Sequence, residues 1–316
     1  MGTPETEPLT GHLERERRGL LAHCYRMLGS WDEAEDAVQE TSLRAWRGFA
    51  TFQHRSSVRV WLYRIATNAC LTALDGRSRR ALPSGLGAPS DDPAAPPDLA
   101  GPETWIQPVS TAAVFDDPAA VVAGRESVRL AFIAGLQYLP ARQRAVLLLR
   151  EVLAFSAAEV AEMLDTTVPA VKSTLQRARG RLDEVAPARD DVLEPSSARA
   201  RELLERYMAA WQASDVGAFE AVLRADAAIE PVGSRTWFAG RTTCLAFAAP
   251  FMGEPGDWRM VAAGANYQPA AVSWFRGEPF GIAVLTAAED GLARITLFGD
   301  PSLVERFQPK GPFEQV

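Results

Sequence analysis

The sequence is poor in the residues on which metal centres and disulfide frameworks depend. It has three cysteines and three histidines in 316 residues. Cys24, Cys70 and Cys244 lie too far apart for a zinc-ligand motif or a compact disulfide scaffold. We therefore expect no metal, no other cofactor and a reducing compartment.

Long apolar runs are also missing. The N-terminus is polar and acidic, and no segment is long enough to span a bilayer. These absences predict a cytoplasmic protein with no membrane partner. The net charge of −7 excludes a chain that is basic throughout, and Lys172 and Lys310 are its only lysines. Binding to nucleic acid would then depend on local clusters of arginine.

The clearest pattern runs from Leu139 to Leu182 and predicts a helix-turn-helix. Ser156 is placed to cap a short helix, with Glu159 three residues later completing a capping box. Thr167 can cap the next helix, and Pro169 fits its first turn. A short helix, a tight turn and a longer helix form the geometry that enters a DNA major groove.

The second of these helices has a basic, hydrogen-bonding outer face. That face consists of Lys172, Ser173, Gln176, Arg177, Arg179 and Arg181, with no acid before Asp183. The alternative is a helical hairpin whose basic face is simply solvated. Another basic cluster lies near residue 80 and contains Arg77, Arg79 and Arg80.

The N-terminal region predicts three helices. The first runs from Thr10 to Leu28. Ser30 caps the second, which has acids in its first turn and carries Leu43 and Trp46 on its inner, apolar side. The third begins near Val58 and ends in the arginine cluster, and its Trp61 is expected in the core.

These regions resemble the two domains of an extracytoplasmic-function (ECF) sigma factor. AEDAVQETSLRAWRGF and WLYRIATNACLTAL resemble sigma region 2, and LPARQRAVLLLREVLAFSAAEVAEMLDTTVPAVKSTLQRARGRL resembles region 4. The blocks occur in the family's order and together cover about half the chain. The resemblance implies a non-enzymatic subunit that binds core RNA polymerase and directs promoter-specific transcription initiation.

The resemblance also implies roles for individual residues. The residues implied to bind the polymerase β′ clamp are Asp32, Glu35, Asp36, Gln39, Glu40 and Arg44. A further contact with the β flap is implied. Those implied to contact promoter DNA from region 2 are Arg55, Ser56, Arg64, Asn68, Arg77, Arg79 and Arg80. Those from region 4 are Val168, Pro169, Lys172, Ser173, Gln176, Arg177 and Arg179. Thr174 and Gln176 replace basic or aromatic residues of many relatives, so the promoter sequence cannot be borrowed from them.

Residues 81–118 contain eight prolines and predict an extended, weakly ordered, acidic linker. The island TWIQPV is unusual there, because Trp105 and Ile106 need a partner surface. It could dock on another domain or on polymerase, or it could form a small local cluster.

The C-terminal third, residues 196–316, predicts helices followed by a curved antiparallel sheet, an α+β cone. LLERYMAAWQASDVGAFEAVL, WFAGR and GLARITLFGDPSLVERF resemble the SnoaL-like polyketide-cyclase group of the nuclear-transport-factor-2-like superfamily. Residues that could line its interior pocket are Trp211, Trp237, Trp258, Arg259, Asn266, Trp274 and Phe298. The alternative is that most of them are ordinary core.

The expected protein is thus a multidomain chain with two all-α sigma domains, at 1–80 and 119–186, then the cone. The C-terminal third contains no histidine and no evident pair of acid and base groups, so a non-catalytic role is expected there. That role is regulation of the sigma domains in cis, through contacts or a small-molecule ligand. The alternative is a cyclase or hydrolase that a helix-turn-helix tethers to DNA.

Overall fold

A computed structural model describes residues 9–52, 56–101, 104–114, 126–185 and 192–307. The chain divides into two compact units. Unit 1 comprises Met1–Arg79 and Ala113–Ala186, and unit 2 comprises Arg80–Ala112 and Pro187–Val316. Among the described residues, no helix has the length and apolar character that crossing a membrane requires.

In the described part of residues 9–185 the regular elements are helices. They are α1 (Leu9–Leu28), α2 (Trp31–Gly48), α3 (Val58–Ala73), α4 (Thr111–Val114), α5 (Leu130–Gln137), α6 (Ala141–Leu147), α7 (Ala157–Met163) and α8 (Val168–Val185). A π-helical turn, Leu148–Val152, extends α6. The predicted all-α character of the sigma regions is confirmed.

The helix starts follow the predicted capping chemistry. The Glu33 N–H donates to Ser30 Oγ at the start of α2. Ser156 and Glu159 form the complete capping box of α7, at 3.2 and 2.7 Å. These hydrogen bonds satisfy backbone N–H groups that have no partner inside a helix, which is why the helices begin at these residues.

The region 2 helices and the helix-turn-helix pack together within unit 1, and we call their contact the seam. Arg144 of α6 is 4% exposed. Its guanidinium donates to the Met27 carbonyl oxygen of α1, to Gln137 Oε1 and to the Leu139 carbonyl oxygen. Burial lowers the pKa of Arg144 to about 10, so the group is still charged at neutral pH. A buried cation with several carbonyl partners therefore joins the two sigma regions.

Aromatic contacts extend the seam. The ring of Phe155, in the turn before α7, meets Tyr63 of α3 edge to face at 5.3 Å. The Arg59 guanidinium lies 4.4 Å from the Phe155 ring centroid. Arg26 of α1 donates to the Ser127 carbonyl oxygen at 3.3 Å. Polar and apolar contacts thus both hold region 4 against region 2.

Unit 2 is an α+β domain around one six-stranded sheet. Its elements are α9 (Ala198–Gln212), α10 (Val216–Glu220), β1 (Leu223–Val232), β2 (Phe238–Ala239), α11 (Arg241–Ala248), β3 (Trp258–Ala265), β4 (Gln268–Phe275), β5 (Glu278–Ala288), β6 (Gly291–Phe298) and α12 (Ser302–Phe307). The strand order is β2-β1-β6-β5-β4-β3. β1 pairs in parallel with β6, so the prediction of a purely antiparallel sheet is wrong at this pair.

One sheet face and the helices enclose the main core of unit 2. Leu203, Tyr207 and Trp211 of α9 pack with Ile229 of β1 in this core. Glu230 follows Ile229 and therefore points to the opposite face. It is fully buried there, in an ion pair with Arg294 of β6. The Ser84 N–H of the linker donates to Glu230 Oε2 at 3.1 Å, so the linker covers this opposite face.

The prediction of a weakly ordered linker is wrong for residues 80–112, which belong to unit 2. The Val109 N–H donates to Asn266 Oδ1 at 3.0 Å, and the Asn266 N–H donates to the Val109 carbonyl oxygen at 2.9 Å. Trp105 is 4% exposed and pairs with Ala81 inside the linker. The prolines interrupt regular secondary structure in this segment. Enough of the other side chains are apolar for parts of the segment to be buried all the same. The island TWIQPV therefore docks on the C-terminal domain through Val109, while Trp105 pairs with Ala81 inside the linker.

Candidate polymerase and DNA interfaces

The acidic residues of α2 lie on the outer face of the helix. Asp32, Asp36, Gln39 and Arg44 are exposed, and Glu35 and Glu40 are half-buried. Arg44 Nε donates to Glu40 Oε1 at 2.6 Å, one helical turn away. Buried Ala34, Val38, Thr41 and Ala45 hold the opposite side of α2 in the core of unit 1. All six residues that the resemblance implied for polymerase binding thus lie away from this core.

Two apolar residues of the same face were missed by the sequence prediction. Leu43 is 51% exposed and Trp46 is 58% exposed, although both were counted with the inward side. Their spacing of four and seven residues from exposed Gln39 could have revealed this, because such residues share a helix face. Exposed aromatic residues beside acids are typical of a protein-binding surface.

The recognition helix α8 presents all seven predicted DNA residues to solvent. Exposed are Val168, Pro169, Lys172, Ser173, Gln176, Arg177 and Arg179. The other side of the helix is fixed by buried Val171 and Ala178. Thr167 caps the helix as predicted, through its Oγ1 and the Ala170 N–H at 3.3 Å.

Two arginines of α8 are already oriented by neighbours. Arg177 donates to Thr174 Oγ1 at 3.1 Å. Arg179 Nε donates to Glu151 Oε1 at 2.7 Å, and Glu151 lies in the π-helical turn after α6. These contacts hold both guanidinium groups at the helix surface.

The basic cluster near residue 80 is not a free patch. Arg77 forms an ion pair with Glu33, and Arg79 lies 3.8 Å from the Tyr138 ring centroid. Arg80 Nη1 donates to the Trp105 carbonyl oxygen at 2.9 Å. Phosphate contacts from these arginines would have to replace the intramolecular partners.

Region 2 also exposes Arg64 and Asn68 one turn apart on α3, and Ser56 before the helix is half-buried. Arg55 lies outside the described residues. An aromatic cluster stands beside this helix. Trp61 is half-buried and stacks on Phe52 at 4.8 Å between centroids. Trp61 is half-buried in this cluster, which also contains Phe49 at 6.1 Å between centroids, so it differs from the fully buried core residue that was expected.

The seven predicted pocket residues are not gathered around one cavity. Trp211 and Trp258 meet edge to face at 5.3 Å and belong to the core of unit 2. Arg259 stacks on Trp274, with 3.6 Å between the guanidinium and the ring centroid. Trp211 and Trp258 are therefore core residues, as the alternative interpretation holds. Arg259 and Trp274 form a stacked pair.

The remaining three have other partners. Asn266 binds Val109 of the linker, as described above. Trp237 Nε1 donates to the Gly87 carbonyl oxygen, also in the linker, at 2.9 Å. Phe298 lies in β6, in register with Val232 of β1. Two predicted pocket residues thus contact the linker, which sequence reasoning treated as a separate segment.

Comparisons with known proteins agree with this architecture. Residues 12–80 match the family model for Sigma-70 region 2, and residues 129–182 match that for Sigma-70 region 4. The ECF RNA polymerase sigma factor SigG of Mycobacterium tuberculosis is 46% identical over 309 residues, covering 94% of this chain and 83% of SigG. The ECF sigma factor SigW of Bacillus subtilis is 30% identical over 159 residues, covering 49% of this chain and 76% of SigW.

A solved structure is similar over nearly the whole fold. The crystal structure of the Mycobacterium tuberculosis ECF sigma factor SigJ aligns with a TM-score of 0.61 at 21% identity, covering 94% of this chain and 98% of SigJ. At that identity the likeness concerns the fold alone. The identity to SigG is high and spans both proteins, and both sigma regions are matched. The chain belongs to the extracytoplasmic-function RNA polymerase sigma factors.

Proposed function

We propose that this sigma factor binds the polymerase β′ clamp through α2 and reads the upstream promoter element through α8. Region 2, with Arg64 and Asn68, contacts the downstream element, and region 4 also meets the β flap. The observation that carries the proposal is the pair of exposed faces in unit 1, one acidic with Trp46 and one basic and polar. The sigma domains are assigned to residues 1–80 and 119–186, and the protein acts in the cytoplasm with the polymerase.

Residues on α8 divide by their place along the helix. The N-terminal half of a recognition helix meets base edges, which gives that role to Lys172, Ser173 and Gln176. Arg177 and Arg179 lie farther along and contact phosphates. Phosphate contacts position a protein on DNA, and base contacts specify the sequence.

Replacing Arg177 with alanine tests the DNA-binding role. We expect affinity for promoter DNA to fall about tenfold, since one phosphate contact is lost. For the same reason, the slope of log affinity against log salt concentration should become about one unit less steep. Fluorescence anisotropy over a salt series measures both, with a duplex selected from random sequence by the wild-type chain. Arg206→Ala removes an exposed arginine of α9 and is the matched control. Equal affinity and equal salt slopes for wild type and Arg177→Ala would contradict the assignment.

The C-terminal domain regulates the sigma domains in cis and is non-catalytic. Three features support this role: its interior aromatic residues pack on one another, residues 187–316 contain no histidine, and its sheet binds the linker. A small-molecule ligand of this domain stays a prediction. The alternative of a DNA-tethered cyclase is not favoured, because both sigma regions are matched.

Replacing Asn266 with glycine tests regulation in cis. Asn266 has φ +53°, a left-handed conformation that glycine adopts readily, so the turn survives while the acceptor for Val109 is lost. We expect promoter-directed transcription with core polymerase to rise at least about twofold, because one linker hydrogen bond is worth about 0.5–1.5 kcal/mol. Arg276→Gly changes another left-handed turn, away from the linker, and is the control. Unchanged transcription from Asn266→Gly would contradict regulation through this linker contact, and lower transcription would contradict an inhibitory effect of the contact.

A further inference from the structure

The turn after α6 is held in a conformation that a regular α-helix does not have. Leu148–Val152 form a π-helical turn, and the Leu153 N–H closes it by donating to the Leu148 carbonyl oxygen at 3.0 Å. Ala154 follows with φ +57°, a left-handed value that residues other than glycine adopt rarely. Such departures from regular geometry cost free energy, and they occur frequently at functional sites.

Glu151 is the residue through which this turn contacts the recognition helix. Buried Leu148 and Leu149 anchor the turn. Because a π-helical turn closes each hydrogen bond over one more residue than an α-helix, it changes the direction of the side chains that it carries. Oε1 of Glu151 accepts from both Nε and Nη2 of Arg179, which lies 28 residues later on α8.

This ion pair uses one edge of the Arg179 guanidinium. An arginine side chain has five N–H donors, and its two terminal nitrogens form a fork that matches the oxygens of a phosphate. Within the described chain, Nη1 of Arg179 has no acceptor, and Nη2 has a second hydrogen beside the one that Glu151 receives. The carboxylate therefore holds one edge and leaves the terminal fork for a phosphate.

We infer that Glu151 is a positioning residue for DNA binding, which holds Arg179 in the orientation that contacts a promoter phosphate. The inference rests on the proposed function, which assigns Arg179 to a phosphate. Of the two side chains, 34% of Glu151 and 60% of Arg179 is exposed, so the ion pair adds little to the free energy of unfolding. Its effect on DNA binding is entropic, since a side chain that is already held in the free protein loses less freedom in the complex.

The charge of Glu151 alone predicts the opposite effect. A surface carboxylate near DNA is repelled by the phosphate backbone, so removing it strengthens binding. Removing a carboxylate that positions an arginine weakens binding, although the protein then has one negative charge fewer. The sign of the change in affinity therefore distinguishes the two roles.

Replacing Glu151 with alanine in the full-length chain tests the inference. We expect affinity for the selected duplex to fall about fivefold, because DNA binding then has to immobilise one more long side chain. Glu151→Gln keeps an oxygen that can accept from Arg179, so we expect its affinity to stay within about twofold of the wild type. Glu162→Ala removes an exposed acid of α7 and is the matched control, which should bind at least as tightly as the wild type. Fluorescence anisotropy measures all four affinities.

The same substitution in an Arg179→Ala chain isolates the pair. Glu151 has no arginine to hold there, so we expect Glu151→Ala to leave the affinity unchanged or to raise it. Equal or tighter binding by Glu151→Ala in the otherwise wild-type chain, or an equal loss in both backgrounds, would overturn the positioning role. If Arg179→Ala alone binds the duplex as tightly as the wild type, the phosphate contact of the proposed function fails instead, so the two failures are distinguishable.

Discussion

Substitution of Asp36 by arginine is expected to weaken binding to core RNA polymerase by at least about 100-fold. Asp36 lies on the exposed face of α2, beside Gln39 and Leu43. If that face meets a basic surface on the β′ clamp, the substitution places like charges together, which costs several kcal/mol; about 3 kcal/mol corresponds to the stated factor. Titration of labelled full-length chain with core polymerase measures the loss.

The appropriate control is Glu14→Arg, which makes the same charge reversal at an exposed position of α1. Both side chains are exposed, so neither change should alter the free energy of unfolding by more than about 0.5 kcal/mol. If Asp36→Arg binds polymerase as tightly as Glu14→Arg, α2 is not the docking helix. If both variants bind core polymerase weakly, the change in net charge causes the loss of affinity, and a specific contact of α2 does not.

Substitution of Arg144 by methionine is expected to destabilise unit 1 by about 3–5 kcal/mol. Methionine fills part of the volume, but the carbonyl oxygens of Met27 and Leu139 and the side chain of Gln137 lose their donor in a buried place. Because Met27 belongs to region 2 and Arg144 to region 4, the loss falls on the seam. Urea unfolding followed by circular dichroism measures the change.

Arg142→Met is the matched control, since Arg142 lies on the same helix with its side chain exposed. We expect Arg142→Met to unfold at the same midpoint urea concentration as the wild type. An Arg144→Met chain that unfolds at the wild-type urea concentration would contradict the structural role of the buried guanidinium.

What the sequence predicts well here is local. Ser30, Ser156 and Thr167 were assigned as caps from their own neighbours, and each accepts the expected backbone hydrogen bond. The C-terminal third has the predicted succession of helices and then strands, apart from the short helix α12 at its end. Capping and strand alternation involve residues only a few positions apart, so a single sequence contains the information.

The sequence predicts poorly what each helix face or polar side chain contacts. Apolar character alone favours an inward position for Leu43 and Trp46, whereas their spacing from exposed Gln39 places them on the outer face of α2. Asn266 was assigned to a pocket because it is polar and lies among aromatic residues. Its left-handed backbone turns it toward Val109, more than 150 positions earlier, and such long-range contacts leave no periodic signal.

The inclusion of residues 80–112 in unit 2 has a consequence for synthesis on the ribosome. The linker emerges before the strands that cover it, and β6 ends only at Phe298. At about 5–20 residues per second, on the order of ten to forty seconds separate the two events. Region 4 ends at Ala186, so for roughly the last six to twenty seconds of that interval both sigma regions are complete while the sheet of unit 2 is unfinished. Each newly made chain thus passes through a stage with unit 2 unfinished, and the order of translation sets how long that stage lasts.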